Sequence, residues 1–315
     1  MCIRDRSKTG IIDPLKLHSY KYAEDIFKKM SSIPNQKNHG MMFLLDWSGS
    51  MQRNLIPTTE QLLNLVMFCR KINIPFSVYK FMNPGSSYDS AKGQNHPDHP
   101  FIVSDKTLLP DQTTRLCQMF THKQSKSDFL RCAQNLHRSA KYFNDRRSYR
   151  MDPNHVNAPS ISGDYYLSST PLNESLVAMD HVIKKFKTDY KTDKVALVTL
   201  TDGASNSMHH PKSGELHLKL NGRYVPAHSY WRDKRDFTSV MLKYLKKKYD
   251  LQLIGFYLVS KYRELQYMLN VPYQKEMLAR KMFSKDKFIA DYNTAYDVYF
   301  YVNSGTRIKN NTFDN

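Results

Sequence analysis

A cluster of oxygen-bearing side chains follows a short apolar run near residue 40. The run over residues 41–45 ends in Asp46, and Ser48 and Ser50 follow at alternate positions. A carboxylate and two hydroxyls form an oxygen-only set, which Mg²⁺ or Mn²⁺ prefers and which suits zinc or copper poorly. The D-x-S-x-S spacing therefore predicts a hard-cation site. An ordinary strand-to-helix turn with Ser50 as the N-cap is the competing interpretation.

Two further oxygen donors stand at comparable positions later in the chain. Thr170 precedes Pro171, and Pro at a first helical position indicates a helix start. Asp202 follows the apolar run over residues 194–200, so it is a second carboxylate at a second strand end. Ligands gather at the carboxyl ends of strands in open α/β sheets, which favours a shared site. A simple N-cap role is the alternative for Thr170.

Apolar runs and helical periodicity alternate along the chain, which is typical of an α/β protein. A strand over residues 41–46, a helix over 58–72 and a strand over 74–81 fit a right-handed crossover in a parallel sheet. We expect a doubly wound, mostly parallel central sheet flanked by helices. The later predicted elements are a helix ending at 190, a strand at 194–200, a helix at 236–249, a strand at 251–259, a helix at 274–282 and a sheet-edge strand at 296–302.

Two segments interrupt this alternation. Residues 83–163 have loop composition at first and a helical pattern over 126–143, which predicts a long insertion into a domain that spans residues 40–302. Residues 215–226 carry Asn221-Gly222 at their centre, which predicts a β-hairpin with a type I′ turn.

The ends of the chain are expected to lie outside this domain. Residues 1–6 lack the apolar region of a signal peptide and look like a translated remnant of sequence assembly, so the natural start is expected to be missing. Residues 7–39 are predicted to be an approach segment of short strands or turns. Residues 303–315 form a polar tail.

Composition narrows the possible settings and partners. No apolar stretch reaches the ~20 residues of a spanning helix, so no membrane association is expected. The four cysteines lack metal or disulfide spacing, which indicates a reduced, cytoplasmic setting. The net charge of +18 would attract an acidic protein or nucleic acid. The basic residues are spread along the chain, and solvated helix faces explain such clusters more often than a nucleic-acid groove.

The three pieces D-x-S-G-S, S-T-P-L and a strand ending T-D-G occur in an order that resembles the von Willebrand factor A (VWA) domain with its metal-ion-dependent adhesion site. The resemblance covers roughly residues 40–82 and 164–302. It implies a Mg²⁺ ion, no catalytic residue and an open coordination position for a partner's carboxylate. In this family Ser48 and Ser50 would coordinate the ion directly, Thr170 directly or through water, and Asp46 and Asp202 closely or through bridging waters.

Within that family the chain is similar to the CobT-type subunit of aerobic cobaltochelatase and to its tailed-phage relatives. Residues 9–17 resemble a pattern ahead of the A domain in that subunit, and residues 37–40 resemble one in the phage proteins. This similarity implies a non-catalytic subunit that acts with an AAA+ ATPase of the MoxR or CobS type, in the host cytoplasm if the chain is phage-encoded.

Two other functions remain open from the residues. A metal-dependent hydrolase would use the same ion, but the sequence shows no second metal cluster and no Gly-rich phosphate loop. A basic nucleic-acid-binding protein is the other alternative. Trp47 and Met51 flank the D-x-S-x-S residues and are either partner contacts or core residues, and we expect at least one to pack in the core.

Overall fold

A seven-stranded sheet forms the centre of the computed structural model, which describes residues 8–12, 27–29, 39–83, 114–149, 167, 169–201, 205, 217–220, 222–226, 237–259, 262–269 and 273–303. The strands are β1 Lys8–Ile12, β2 Phe27–Lys29, β3 His39–Asp46, β4 Phe76–Met82, β5 Arg115–Thr121, β6 Lys194–Leu200, β7 His217–Leu220, β8 Arg223–Pro226, β9 Leu251–Val259, β10 Phe288–Asp291 and β11 Val298–Asn303. The helices are a 3₁₀ helix at Ser50–Asn54, α1 Leu55–Lys71, α2 Lys126–Tyr149, α3 Leu172–Tyr190, α4 Phe237–Tyr249, α5 Tyr262–Leu269 and α6 Tyr273–Asp286.

The order of the strands in the central sheet is β10-β11-β9-β6-β3-β4-β5. The five middle strands run parallel, and each edge strand is antiparallel to its neighbour. β3, β6 and β9 are apolar and buried along almost their whole length, as expected for strands whose two faces are both covered. The predicted α/β class, with a mostly parallel sheet flanked by helices, is confirmed.

Several elements differ in extent from their predictions. α1 begins at Leu55 rather than at residue 58, because the 3₁₀ helix leads directly into it. The sequence did not predict α5 or the edge strand β10. β10 has four residues that are all only partly buried, so it lacks the strong apolar signal of a central strand. The last strand begins at Val298 rather than at residue 296.

The described part of the predicted insertion contributes to the core. β5 pairs with β4, and α2 packs against α1. The side chains of Phe120, Phe129 and Leu136 are buried. Residues 84–113 and 150–163 lie outside the described residues, so the limits of the insertion stay a prediction.

Two small antiparallel pairs accompany the central sheet. β7 and β8 form the predicted hairpin, with Leu220 opposite Arg223 and with Gly222 at a φ of +80°. A positive φ favours glycine, which explains its place in this turn. β1 pairs with β2 in the approach segment. Among the described helices, none combines the length and apolarity that crossing a bilayer requires.

Candidate metal centre

Asp46 is the last residue of β3 and its side chain is fully buried. The hydroxyl of Thr201, directly after β6, donates a hydrogen bond to Asp46 Oδ2 at 2.7 Å. The backbone N–H of Thr201 donates to Phe256 O at 3.0 Å, so β9 fixes the position of this threonine. The Asp46 carboxylate is therefore oriented by the neighbouring strand end.

Ser48 and Ser50 bring their hydroxyls together beyond Asp46. Ser48 is buried, Ser50 is exposed, and their Oγ atoms lie 3.0 Å apart. Octahedral Mg²⁺ has oxygen ligands at ~2.0–2.1 Å, so two adjacent ligands lie about 2.9 Å from each other. A direct hydrogen bond between the hydroxyls has the same length. The pair thus fits adjacent positions on a hard cation without a change in its separation.

The N-cap interpretation of Ser50 does not match the structure. Gly49 occupies the cap position of the 3₁₀ helix and Asn54 that of α1, and neither cap forms a side-chain hydrogen bond. Ser50 is itself the first residue of the 3₁₀ helix. Its hydroxyl contacts Ser48 instead.

Thr170 is buried next to the start of α3. The helix begins at Leu172 with Pro171 at the cap position, so Thr170 is not the N-cap and Pro171 is not the first helical residue. Ser205 meets this helix start, because its Oγ accepts a hydrogen bond from Asn173 N at 3.0 Å and lies 3.5 Å from Thr170 O. Asn173 Oδ1 in turn accepts one from the Thr238 hydroxyl at 2.6 Å, which ties α3 to α4.

The loop after β6 links two of the predicted ligands. Thr201 and Ser205, which stand on either side of residues 202–204, contact Asp46 and Thr170 respectively. Asp202 itself lies outside the described residues, so its part in the site stays a prediction. The described contacts bring together Ser48 with Ser50, Asp46 with the end of β6, and Thr170 with the loop beyond it.

Sequence reasoning missed a buried support for Asp46. The Tyr299 hydroxyl, from β11, donates to Thr201 O at 2.7 Å. Its ring crosses β9 at Gly255, where a Cβ atom would lie 2.1 Å from the ring. A glycine inside an otherwise apolar strand often marks such a close approach, and this was the available signal.

Trp47 and Met51 are core residues. Both side chains are buried, which confirms the prediction that at least one of them packs in the core. The Trp47 ring packs edge-on against Phe143 of α2, with the ring centroids 6.5 Å apart. Lys80 Nζ lies 5.5 Å from the Trp47 ring centroid, and Lys80 is only 1% exposed. The backbone that carries Ser48 therefore rests on a rigid layer of packed side chains.

Tyr296 is an ionisable group whose pKa responds to the Asp46 carboxylate. Burial raises the pKa of Tyr296 to about 12, and the negative charge of Asp46 adds to this shift. Within the described part of the chain, no group of three or more His, Cys, Asp or Glu side chains is placed to hold a metal ion. Cys69, Cys117 and Cys132 form no disulfide bond within the described part of the chain.

Comparison with known proteins identifies no family for this chain. No protein-family model matches the chain, and no curated protein sequence matches it. Among solved structures, the chain is similar to the pilus adhesin SpaC from Lactobacillus rhamnosus GG in its open conformation, with 11% identity and a TM-score of 0.38. The match covers 70% of this chain and 24% of the adhesin. At this TM-score the likeness carries no argument for a family or a function.

Proposed function

We propose that this chain is a Mg²⁺-dependent protein-interaction module of the VWA type. Asp46, Ser48, Ser50, Thr170 and Asp202 would hold the ion, and a carboxylate of a partner protein would complete its coordination. Mn²⁺ would substitute for Mg²⁺, because both take oxygen ligands. The observation that carries the proposal is the pair of hydroxyls 3.0 Å apart beyond a buried carboxylate that Thr201 orients.

The local chemistry supports a binding role. When bound, the ion supplies an electrophilic centre that attracts a carboxylate. Asp46 accepts a hydrogen bond from Thr201, which orients its carboxylate. Ser48 and Ser50 contribute neutral oxygens, which leave more of the ion's positive charge for a partner. Asp46 is best understood as holding the ion and its waters rather than as a catalytic acid or base.

The proposed position of Asp202 rests on its neighbours in the chain. Thr201 contacts the end of β3, and Ser205 contacts the start of α3. A three-residue connection between these points supports a role for Asp202 beside Asp46 and Thr170.

The proposed partner is a protein that presents an acidic residue, with an AAA+ ATPase of the MoxR or CobS type as the specific candidate. The net charge of +18 favours an acidic partner surface. In this arrangement the chain would be the non-catalytic subunit of a cytoplasmic remodelling or chelatase-like complex.

A thermal shift tests the metal site. At about 100 times its Kd, Mg²⁺ would stabilise the folded chain by about 2.7 kcal/mol, which raises the melting temperature by several degrees. We expect Ser48→Ala to abolish this rise, because it removes a buried ligand.

Ser127→Ala is the matched control. The Ser127 and Ser125 hydroxyls also lie 3.0 Å apart, but they are exposed at the start of α2, where Ser125 Oγ accepts a hydrogen bond from Asp128 N. This variant should keep the full Mg²⁺ shift. An undiminished shift in both Ser48→Ala and Asp46→Ala would refute the metal assignment.

A pull-down tests the partner. The full chain, co-expressed with a MoxR-type ATPase from the same genome, should retain the ATPase in Mg²⁺ and release it in EDTA. Retention that is equal in both buffers would show that the interaction does not use the ion.

A further inference from the structure

The 3₁₀ helix that begins at Ser50 determines which side chains next to the candidate metal centre are exposed. This helix has three residues per turn and ~2.0 Å rise per residue, so side chains three positions apart lie above one another, about 6 Å apart. Met51 and Asn54 form its buried edge, with exposures of 1% and 5%. Ser50 and Arg53 form the exposed edge. The helix thus places Arg53 one turn after Ser50, a candidate metal ligand, on the same exposed edge.

The residues next to Arg53 attach the 3₁₀ helix to the rest of the fold. Gln52 Nε2 donates to Phe143 O at 2.7 Å, and Met51 is buried beneath the helix. The helix also packs against α1 and α2. Within the described part of the chain, no ion pair or hydrogen bond engages the Arg53 guanidinium. Arg53 is exposed, and its guanidinium carries five N–H donors that can bind a carboxylate.

We propose that Arg53 is a second anchor, which selects a partner segment that carries two neighbouring carboxylates. The inference rests on the proposed function, since one carboxylate would complete the coordination of the ion and the other would bind the Arg53 guanidinium. Arginine binds carboxylates through two parallel N–H···O bonds, which adds geometric specificity.

The backbone spacing of Ser50 and Arg53 indicates the spacing that we expect in the partner. Ser50 and Arg53 are about 6 Å apart along the helix axis. Alternate side chains on one face of an extended strand are about 6.6 Å apart, from a rise of ~3.3 Å per residue. An extended Glu-x-Glu or Asp-x-Glu segment therefore fits both anchors at once, whereas a lone acidic residue reaches only the ion.

Fluorescence anisotropy with two peptides tests this proposal on the full chain in Mg²⁺. The probes are fluorescein-labelled Gly-Glu-Gly-Glu-Gly and its analogue Gly-Glu-Gly-Gln-Gly. A hydrogen bond to a charged group contributes about 1.5 kcal/mol or more, so the wild-type chain should bind the first peptide about tenfold more tightly. Arg53→Gln should remove this preference and keep the Mg²⁺-induced rise in melting temperature.

Arg138→Gln is the matched control, because Arg138 is also exposed but lies on α2. This variant should keep the tenfold preference. Three results would overturn the proposal that Arg53 is a second anchor. They are equal binding of the two peptides by the wild-type chain, binding of neither peptide, and an unchanged preference in Arg53→Gln. Peptide binding that survives EDTA and Ser48→Ala would instead overturn the metal-dependent function, so the two failures are distinguishable.

Discussion

The hydroxyl of Thr201 is the residue-scale feature on which the Asp46 carboxylate depends. The 2.7 Å bond between them is buried, and its acceptor is a carboxylate. Hydrogen bonds to charged groups contribute about 1.5–3 kcal/mol, more than neutral ones. This bond also holds Asp46 Oδ2 against the end of β6. We therefore treat Thr201 as a positioning residue of the site.

Replacing Thr201 with valine tests this role. Valine keeps the shape of threonine but cannot donate a hydrogen bond, so Thr201→Val should lower the free energy of unfolding by about 1–3 kcal/mol. It should also weaken Mg²⁺ binding several-fold, as measured by urea unfolding and titration calorimetry. Thr188→Val is the control. The Thr188 hydroxyl is exposed and donates a hydrogen bond to Lys184 O, one turn earlier in the same helix, at 3.0 Å. Equal Mg²⁺ affinity in the two variants would contradict the assignment.

At the scale of elements, the neighbouring strands β11, β9 and β6 together hold Thr201, which lies directly after β6 and contacts Asp46. Tyr299 of β11 reaches Thr201 at the end of β6 because Gly255 leaves β9 without a side chain at the crossing point. The three strands are neighbours in the parallel part of the sheet. The tyrosine, the glycine and the threonine thus form one buried unit behind Asp46.

A double-mutant cycle tests this unit. In Gly255→Ala the new methyl group would lie 2.1 Å from the Tyr299 ring, and such overpacking costs about 1–3 kcal/mol of stability. In a Tyr299→Ala background the same substitution should cost little, because the ring is gone. Urea unfolding of the four proteins gives the coupling free energy. Additive effects would show that the ring and the glycine do not depend on each other.

The sequence predicted the elements that carry strong apolar signals and missed those that do not. β3, β6, β9 and α3 were recognised because central strands and amphipathic helices have continuous or periodic apolar residues. β5 went unrecognised because most of its residues are only partly buried, and it lies within a segment of loop composition.

The metal-site residues stay a prediction, and the sequence could point only to local features of the site. Asp46, Ser48, Ser50 and Thr170 are local motifs at element ends. The contact between Thr201 and Asp46 joins residues 155 positions apart, so local spacing could not reveal it. The exposed edge shared by Ser50 and Arg53 depends on a 3₁₀ helix, for which the sequence carried no recognised signal.

At the scale of the whole molecule, the two ends of the sheet differ in character. The candidate metal centre lies at the carboxyl ends of the parallel strands. The amino ends border a cavity of about 370 Å³, whose charged lining includes Lys194, Lys246, Asp250 and Asp297. Lys246 pairs with Asp297, and Asp297 Oδ2 accepts a hydrogen bond from Leu253 N at 2.8 Å. These contacts tie α4 and the start of β11 to β9.

Alkaline unfolding should report on the buried tyrosine next to the site. Burial raises the pKa of Tyr296 to about 12, whereas in the unfolded chain it is near its ordinary value of about 10. The neutral tyrosine therefore stabilises the fold fully below about pH 10, and this contribution is lost as the pH rises towards 12. Between about pH 9 and about pH 11 the loss from this group is on the order of 1 kcal/mol.

Urea unfolding at these two pH values checks the prediction. Tyr296→Phe should lose less stability on the change to high pH than the wild-type chain does. Tyr292→Phe is the control, because it removes the hydroxyl group of a tyrosine that is 56% exposed. The same loss in both variants would show that Tyr296 does not contribute.

We propose, above all, that the carboxyl ends of β3 and β6 and the start of α3 form one hard-cation site. Its most direct test is an anomalous difference map from a crystal of the full chain soaked in Mn²⁺. We predict a single strong peak at about 2.1 Å from both Ser48 Oγ and Ser50 Oγ, with Asp46 and Thr170 around it. Strong Mn²⁺ peaks elsewhere on the protein, with none between these two hydroxyls, would contradict the claim.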